Sequence, residues 1–215
     1  MKRTIGLLGA LVAAAAVPIV VPGVAGGASS TTCSGFLAPG TYDHLVVPAR
    51  AACSGGGPVT ILHGLFVQPG ATFVLGNDRT ANTGTIAGGV HAFNAASVQI
   101  HSARIFGGLH IRGGAGPFGG PAGITWNAIE DNRIDGGATV DGYNGFWFGF
   151  IRNTVTGSVN LNNNVVADED GNEYVTNTIF GDLNCSGNSP APQVGDSEGS
   201  PNVVTGQKTG QCANL

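Results

Sequence analysis

Carboxylates, imidazoles and aromatic rings stand close enough together in this 215-residue chain to suggest chemistry. The carboxylates fall in two stretches, Glu130, Asp131, Asp135 and Asp141, then Asp168, Glu169, Asp170 and Glu173. A hydrolase of polysaccharides sets carboxylates across a cleft, and a lyase adds acidic calcium ligands and a basic residue. Asp131, Asp135 and Asp170 are therefore the candidate catalytic acids. Asp131 and Asp135 also suit plain turn duty, because each sits where a short strand should end.

Asp168-Glu169-Asp170-Gly171-Asn172-Glu173 has a superficial likeness to a calcium loop. The EF-hand spacing fails, since Glu173 stands where that loop needs glycine. A looser calcium site on Asp168 and Asp170 is the alternative to a solvated loop, and no other cofactor is expected. His91 and His110 are a second metal candidate, with His101 or Gln99 nearby. They hold the same outward place in consecutive sequence repeats, about one strand spacing (~4.8 Å) apart. Zinc takes three or four ligands, so a surface histidine pair is the preferred reading.

The aromatic candidates are Phe146-Trp147-Phe148-Gly149-Phe150, with Tyr143 before them and Trp126 upstream. Alternation along a strand turns Phe146, Phe148 and Phe150 one way and Trp147 the other. Stacked core phenylalanines explain most of the run. Tyr143, Trp147 and Trp126 remain as rings that could stack on sugars. Nucleophile elbows, phosphate-cradling loops and dinucleotide fingerprints do not rise above chance in so glycine-rich a chain.

What must position these groups is a repeat. Thr60-Ile61-Leu62-His63-Gly64-Leu65-Phe66-Val67 is followed by copies beginning at Thr85, Arg104, Arg133, Thr154 and Thr178. Their leading Ile or Val residues, 61, 86, 105, 134, 155 and 179, are 25, 19, 29, 21 and 24 residues apart. Glycine corners join short strands within each copy, and further strands fit at 71–75, 96–100 and 123–126. A β-rich, helix-poor repeat of this length predicts a stacked solenoid. The expected fold is all-β: a single-stranded, right-handed parallel β-helix with disulfide-stapled ends. Asn132, Asn153 and Asn177 each precede a repeat start, so they should form an amide ladder. Asn162, Asn163 and Asn164 read as another turn cluster.

Residues 1–28 read as a signal peptide: Lys2-Arg3, an apolar run from Ile5 to Val21, then small residues to Ala28. Residues 29–58 are expected to form an N-terminal cap and first rung, opened by an atypical strand at 41–48. The repeats occupy 59–185, and 186–215 form a C-terminal loop and cap, with 202–206 returning to the stack. Without Lys2 and Arg3, seven basic residues face thirteen acidic ones. That balance argues against a nucleic-acid partner, and no membrane contact is expected after signal cleavage. Four cysteines in an exported chain predict two disulfides. Three pairings are open; Cys33–Cys53 with Cys185–Cys212 is preferred, because a solenoid keeps its ends apart.

The terminal motifs carry a resemblance. Cys33-x-Gly35, Ala38-Pro39-Gly40-Thr41-Tyr42, the run Asn177 to Pro192 around Cys185, and Gly210-Gln211-Cys212 are similar to those of exported, uncharacterised actinobacterial proteins. The resemblance spans nearly all of the mature chain and implies an extracellular parallel β-helix, with no activity or ligand to carry over. Segments around 117–121 and 146–150 depart from it. The functional expectation is a secreted, non-enzymatic β-solenoid at the cell surface or matrix, structural, adhesive or glycan-binding, with polysaccharide or a second copy of itself as partner. The alternative is a polysaccharide lyase or glycoside hydrolase of the parallel β-helix type.

Overall fold

Each apolar-x-apolar triplet of the repeat is a short strand with two side chains inward and one outward. Leu65–Val67 shows this buried–exposed–buried pattern, Leu109–Arg112 repeats it, and Val159–Asn162 has the same alternation with half-buried outward residues. The leading aliphatic residues form the matching face: Ile61, Ile86, Ile105, Ile134, Val155 and Ile179 pair in register from rung to rung, all fully buried. Full burial of such a side chain is worth about 1.5–3 kcal/mol. A column of six is therefore a main support of the stack.

The computed structural model describes residues 29–114, 126–194 and 199–215. Among these there is no helix, and every strand pairing is parallel. Nine, seven and eight strands form three sheets that wind into a β-solenoid of about seven turns. We call them the first, second and third sheets, containing respectively Val90–Phe93, Ser97–His101 and Ala103–Phe106 of one coil. The proposed signal peptide, residues 123–125 of an expected strand, and Pro117 to Pro121 lie outside the described residues. That expected strand is seen only from its end, as Trp126–Glu130.

Corners explain the composition. Between the third and first sheets the chain turns on Gly88-Gly89, Gly107-Gly108 and Gly136-Gly137, all at positive φ. A Cβ on Gly88 would lie 2.6 Å from the His63 carbonyl carbon one rung away, so only glycine fits there. Between the second and third sheets the corner residues Ser102, Asp131, Arg152 and Thr176 take φ of 53–58° without glycine. An asparagine follows each of the last three, and these asparagines bond from rung to rung. Asn153 Oδ1 accepts from Asn132 N and Nδ2 at 3.0 and 3.1 Å, and Asn177 Oδ1 accepts the same pair from Asn153 at 2.8 and 3.1 Å. Asn202 extends the ladder below Asn177.

A second buried ladder runs through the opposite corner. Asn164 accepts from Tyr143 N, Asn188 from Asn164 N, and Gln211 Oε1 from Asn188 N, at 3.0, 3.0 and 2.8 Å. Asn164 is thus a buried structural amide and no mere turn residue, because its carbonyl oxygen replaces a missing main-chain acceptor.

Both disulfides have the preferred pairing, with Cα atoms 5.5 Å apart for Cys33–Cys53 and 5.3 Å for Cys185–Cys212. The start is more regular than expected. Ser30–Thr32, Gly35–Phe36 and Gly40–Tyr42 already join the three sheets, so 41–48 is no single opening strand. At the other end, Val203–Val204 pairs with Thr178–Ile179 as the half-repeat predicts. The preceding loop stays closer to the stack than expected, with bridges at Val165–Ser189 and Glu173–Gln193.

Candidate functional site

The outer face of the second sheet carries the site. Strands here rise in register from Ser97–His101 through Trp126–Glu130 and Trp147–Ile151 to Asn172–Val175. Inward residues such as Val98, Ile100, Ile129, Phe148, Phe150 and Tyr174 fill the core. The outward residues form columns. One holds Gln99, Ala128, Gly149 and Glu173; the next begins with His101 and Glu130; a third holds Trp126 and Trp147. The small side chains at 128 and 149 leave a trough in the middle.

Trp147 lies down in that trough. A Cβ added to Gly149 would stand 2.1 Å from the indole Cη2, so the ring occupies the space that glycine leaves. Its Nε1 donates to Glu173 Oε1 at 3.1 Å, which fixes the ring orientation. Trp126 is in register one rung away and is 42% exposed, and Phe146 completes an aromatic wall.

The opposite side is polar. Arg152 reaches back one rung from its corner, making a two-pronged ion pair with Asp131 at 2.7 and 3.0 Å. Its Nη2 also donates to Glu130 Oε2 at 3.1 Å. His101 lies beside Glu130, with Nδ1 3.8 Å from Oε2 and 3.3 Å from Asp78 Oδ1. Asp78 comes from a turn at 77–80, which Asn77 braces through Arg79 N and Thr80. Burial holds the His101 imidazole below its ordinary pKa, against the opposing charges of Asp78 and Asp131 and with help from Arg152. The neutral ring is the form that can donate a lone pair. Together these residues enclose a cleft of about 560 Å³.

The candidates named from the sequence fare differently. Trp126 and Trp147 are brought together in the cleft, and Asp131 stands at its edge as the partner of Arg152. Tyr143 is not available to a ligand: it is 1% exposed, packs edge-on against Phe148 at 6.1 Å, and burial raises its pKa strongly. Phe146 also departs from expectation. It precedes the strand Trp147–Ile151, so alternation does not bind it, and it turns outward while Phe148 and Phe150 fill the core.

Asp135 is elsewhere, at the end of Arg133–Asp135 in the third sheet. Its slight burial favours a higher pKa, but Arg133, Thr156 and Arg104 outweigh this and lower it. Asp170 lies in the exposed loop and accepts from Gln193 at 3.0 Å, while Asp168 Oδ1 accepts from Asp170 N. The loop's carboxylates are therefore engaged in a turn and a rung contact. The three proposed acids do not converge.

His91 and His110 do stack, with centroids 5.6 Å apart and planes 17° from parallel. They belong to a longer column, Phe66 lying 5.2 Å below His91 and His44 6.3 Å from Phe66. His91 Nε2 is turned to Gly88 O at 3.1 Å, so the pair is a packed ring stack with no converging ligand set. Beside it, Phe66, His91, Phe93, His110 and Arg112 border a second hollow of about 490 Å³ on the first sheet. Its stacked rings already cover each other's faces, which leaves mostly edges for a ligand.

Among the described residues, the side-chain groups able to hold a metal are Asp78, His101 and Glu130, and Asp43, His44 and His63. Neither set includes Asp168, Asp170, His91 or His110. Asp43 is already committed, being hydrogen-bonded to His63 and to Ser29 N, which lowers its pKa.

Sequence reasoning saw His101 only as an accessory and missed Asp78, Arg152 and the Trp147–Glu173 bond. No protein-family model matches the chain, and comparisons with curated proteins and with solved structures found no match either.

Proposed function

We propose that this protein is an exported glycan-binding β-solenoid whose ligand lies in the cleft on the second sheet. The observation that carries the reading is the seat of Trp147: an indole held flat over Gly149 by Glu173, beside Trp126. Sugar rings present axial C–H faces that pack on aromatic rings, and hydroxyls that need directional polar partners. The cleft supplies both, with Gln99, Glu130, His101 and Arg152 opposite the tryptophans.

Binding is favoured over bond cleavage by how the carboxylates are held. Glu130 and Glu173 are the two set on the sheet face itself, and Asp78 reaches the cleft from the turn at 77–80. A glycosidic acid pair needs one carboxyl group ready to give or take a proton. Here Arg152 engages Glu130 and Trp147 engages Glu173.

Export rests on the apolar leader before Ala28 and on the two disulfides; no helix among the described residues is long and apolar enough to cross a membrane. The resemblance to exported actinobacterial proteins points the same way. A glycan array probed with the mature chain and with Trp147→Ala tests the reading. Binding to a defined glycan class, lost in the variant, supports it; equal binding by both would remove the cleft from the account.

A further inference from the structure

We infer that Asp78, His101 and Glu130 form a site for a divalent transition-metal ion of the zinc or manganese class. This goes beyond glycan recognition and does not depend on it.

Geometry comes first. In tetrahedral zinc sites with bonds near 2.0–2.1 Å, neighbouring ligand atoms stand about 3.3 Å apart. His101 Nδ1 is 3.3 Å from Asp78 Oδ1 and 3.8 Å from Glu130 Oε2, and the three ligand atoms all lie within 4.8 Å of one another. Small side-chain adjustments close the set around one ion. Its remaining position opens into the cleft, where water can fill it.

A second observation is independent of those distances. The His101 side chain is 5% exposed, and its Nδ1 has no hydrogen-bond partner. Asp78 Oδ1 stands 3.3 Å away but makes no hydrogen bond with it. A buried imidazole nitrogen directed between two carboxylates without a proton partner is a costly arrangement. A metal ion satisfies it.

Charge and chemistry agree. Asp78, Glu130 and Asp131 outnumber the one guanidinium of Arg152, so the cluster keeps a net negative charge. Arg152 binds Glu130 and Asp131 together, which orients the ligand carboxylate as outer-shell groups do in metal sites. One imidazole with two carboxylates suits zinc or manganese; calcium, a hard ion, takes oxygen ligands. Asp43, His44 and His63 are the rival set, but none of them is buried and none leaves a buried nitrogen without a partner, as His101 does.

The test is direct metal binding by the tag-free mature chain, stripped with chelator and titrated with zinc or manganese chloride. Calorimetry and metal analysis after dialysis should give one ion per chain. Asp78→Asn and His101→Gln should each weaken binding by more than roughly ten-fold, above the lower limit for loss of an outer-shell partner. Asp78 is exposed, so Asp78→Asn leaves the core intact and its circular dichroism and melting curve should match the parent. His63→Gln should bind as the parent does. Absence of saturable binding, full affinity in Asp78→Asn, or loss in His63→Gln would each overturn the inference. Glycan binding measured in chelator reports on the cleft separately.

Discussion

Trp147 rests on Gly149, its indole Cη2 within 2.1 Å of where a Cβ would stand, and Glu173 one rung on ties down the ring nitrogen. A solenoid face is otherwise a lattice of upright side chains. Here one glycine lets a large ring lie flat against the sheet.

Gly149→Ala should therefore act on binding with little effect on the fold. The new methyl displaces the indole, and aromatic contacts of this kind are worth about 0.5–1.5 kcal/mol. Glycan affinity should fall roughly ten-fold, while stability to urea falls by about 1–3 kcal/mol as the Trp147–Glu173 bond is lost and the fold is kept. Parallel glycan titrations and denaturation curves check both halves.

The asparagine ladder makes a separate prediction. Asn153→Ala strips acceptors from Asn132 N and Nδ2, and donors from Ile129 O and Asn177 Oδ1. Each buried polar group left unpaired costs about 1–3 kcal/mol. Partial relaxation still leaves a total loss of about 3 kcal/mol or more, read as a lower urea midpoint. Asn160→Ala, on the outer face beside Asn184, should cost well under half as much.

Each disulfide closes a short loop, of 20 residues for Cys33–Cys53 and 27 for Cys185–Cys212. Removing either pair by double Cys→Ala substitution should destabilise the chain by about 3 kcal/mol. Peptide mapping without reductant should recover these two pairs alone.

Acid should weaken the ring stack. His110 has its pKa lowered from the ordinary 6.5, by burial first and then by the facing His91 and by Arg112 on its own strand. The unfolded chain thus takes up its proton at a higher pH than the folded chain. The stabilising contribution is complete above the unfolded value and is lost as pH falls through the folded one. The melting temperature should decline as pH drops from 7.5 towards 5, and His110→Asn should flatten that decline.

How much of this was legible in the sequence varies by sheet. The third and first sheets repeat one residue pattern per coil, so Ile61 to Ile179 could be placed in register by eye. Disulfides and the Asn132–Asn153–Asn177 ladder follow from the same period. The second sheet has no such signature: Ser97–His101, Trp126–Glu130, Trp147–Ile151 and Asn172–Val175 share no motif. Its outward residues meet across rungs separated by corners of unequal length. Runs of nearby carboxylates, such as Asp168 to Glu173, are prominent in one dimension and scattered in three. Asp78, His101, Glu130 and Arg152 show the reverse. The Asn164–Asn188–Gln211 ladder escaped notice for a related reason, since Gln211 belongs to a different turn chemistry and only stacking aligns its amide with the others.

Fluorescence gives the most direct test of the proposed glycan cleft. The chain contains two tryptophans, Trp126 and Trp147, and both line it. Titrating the mature protein with the best array-selected oligosaccharide should give a saturable change in tryptophan emission, abolished by Trp147→Ala together with binding. Oligosaccharide binding at full affinity with no change in emission, or persisting undiminished in Trp147→Ala, would contradict the account.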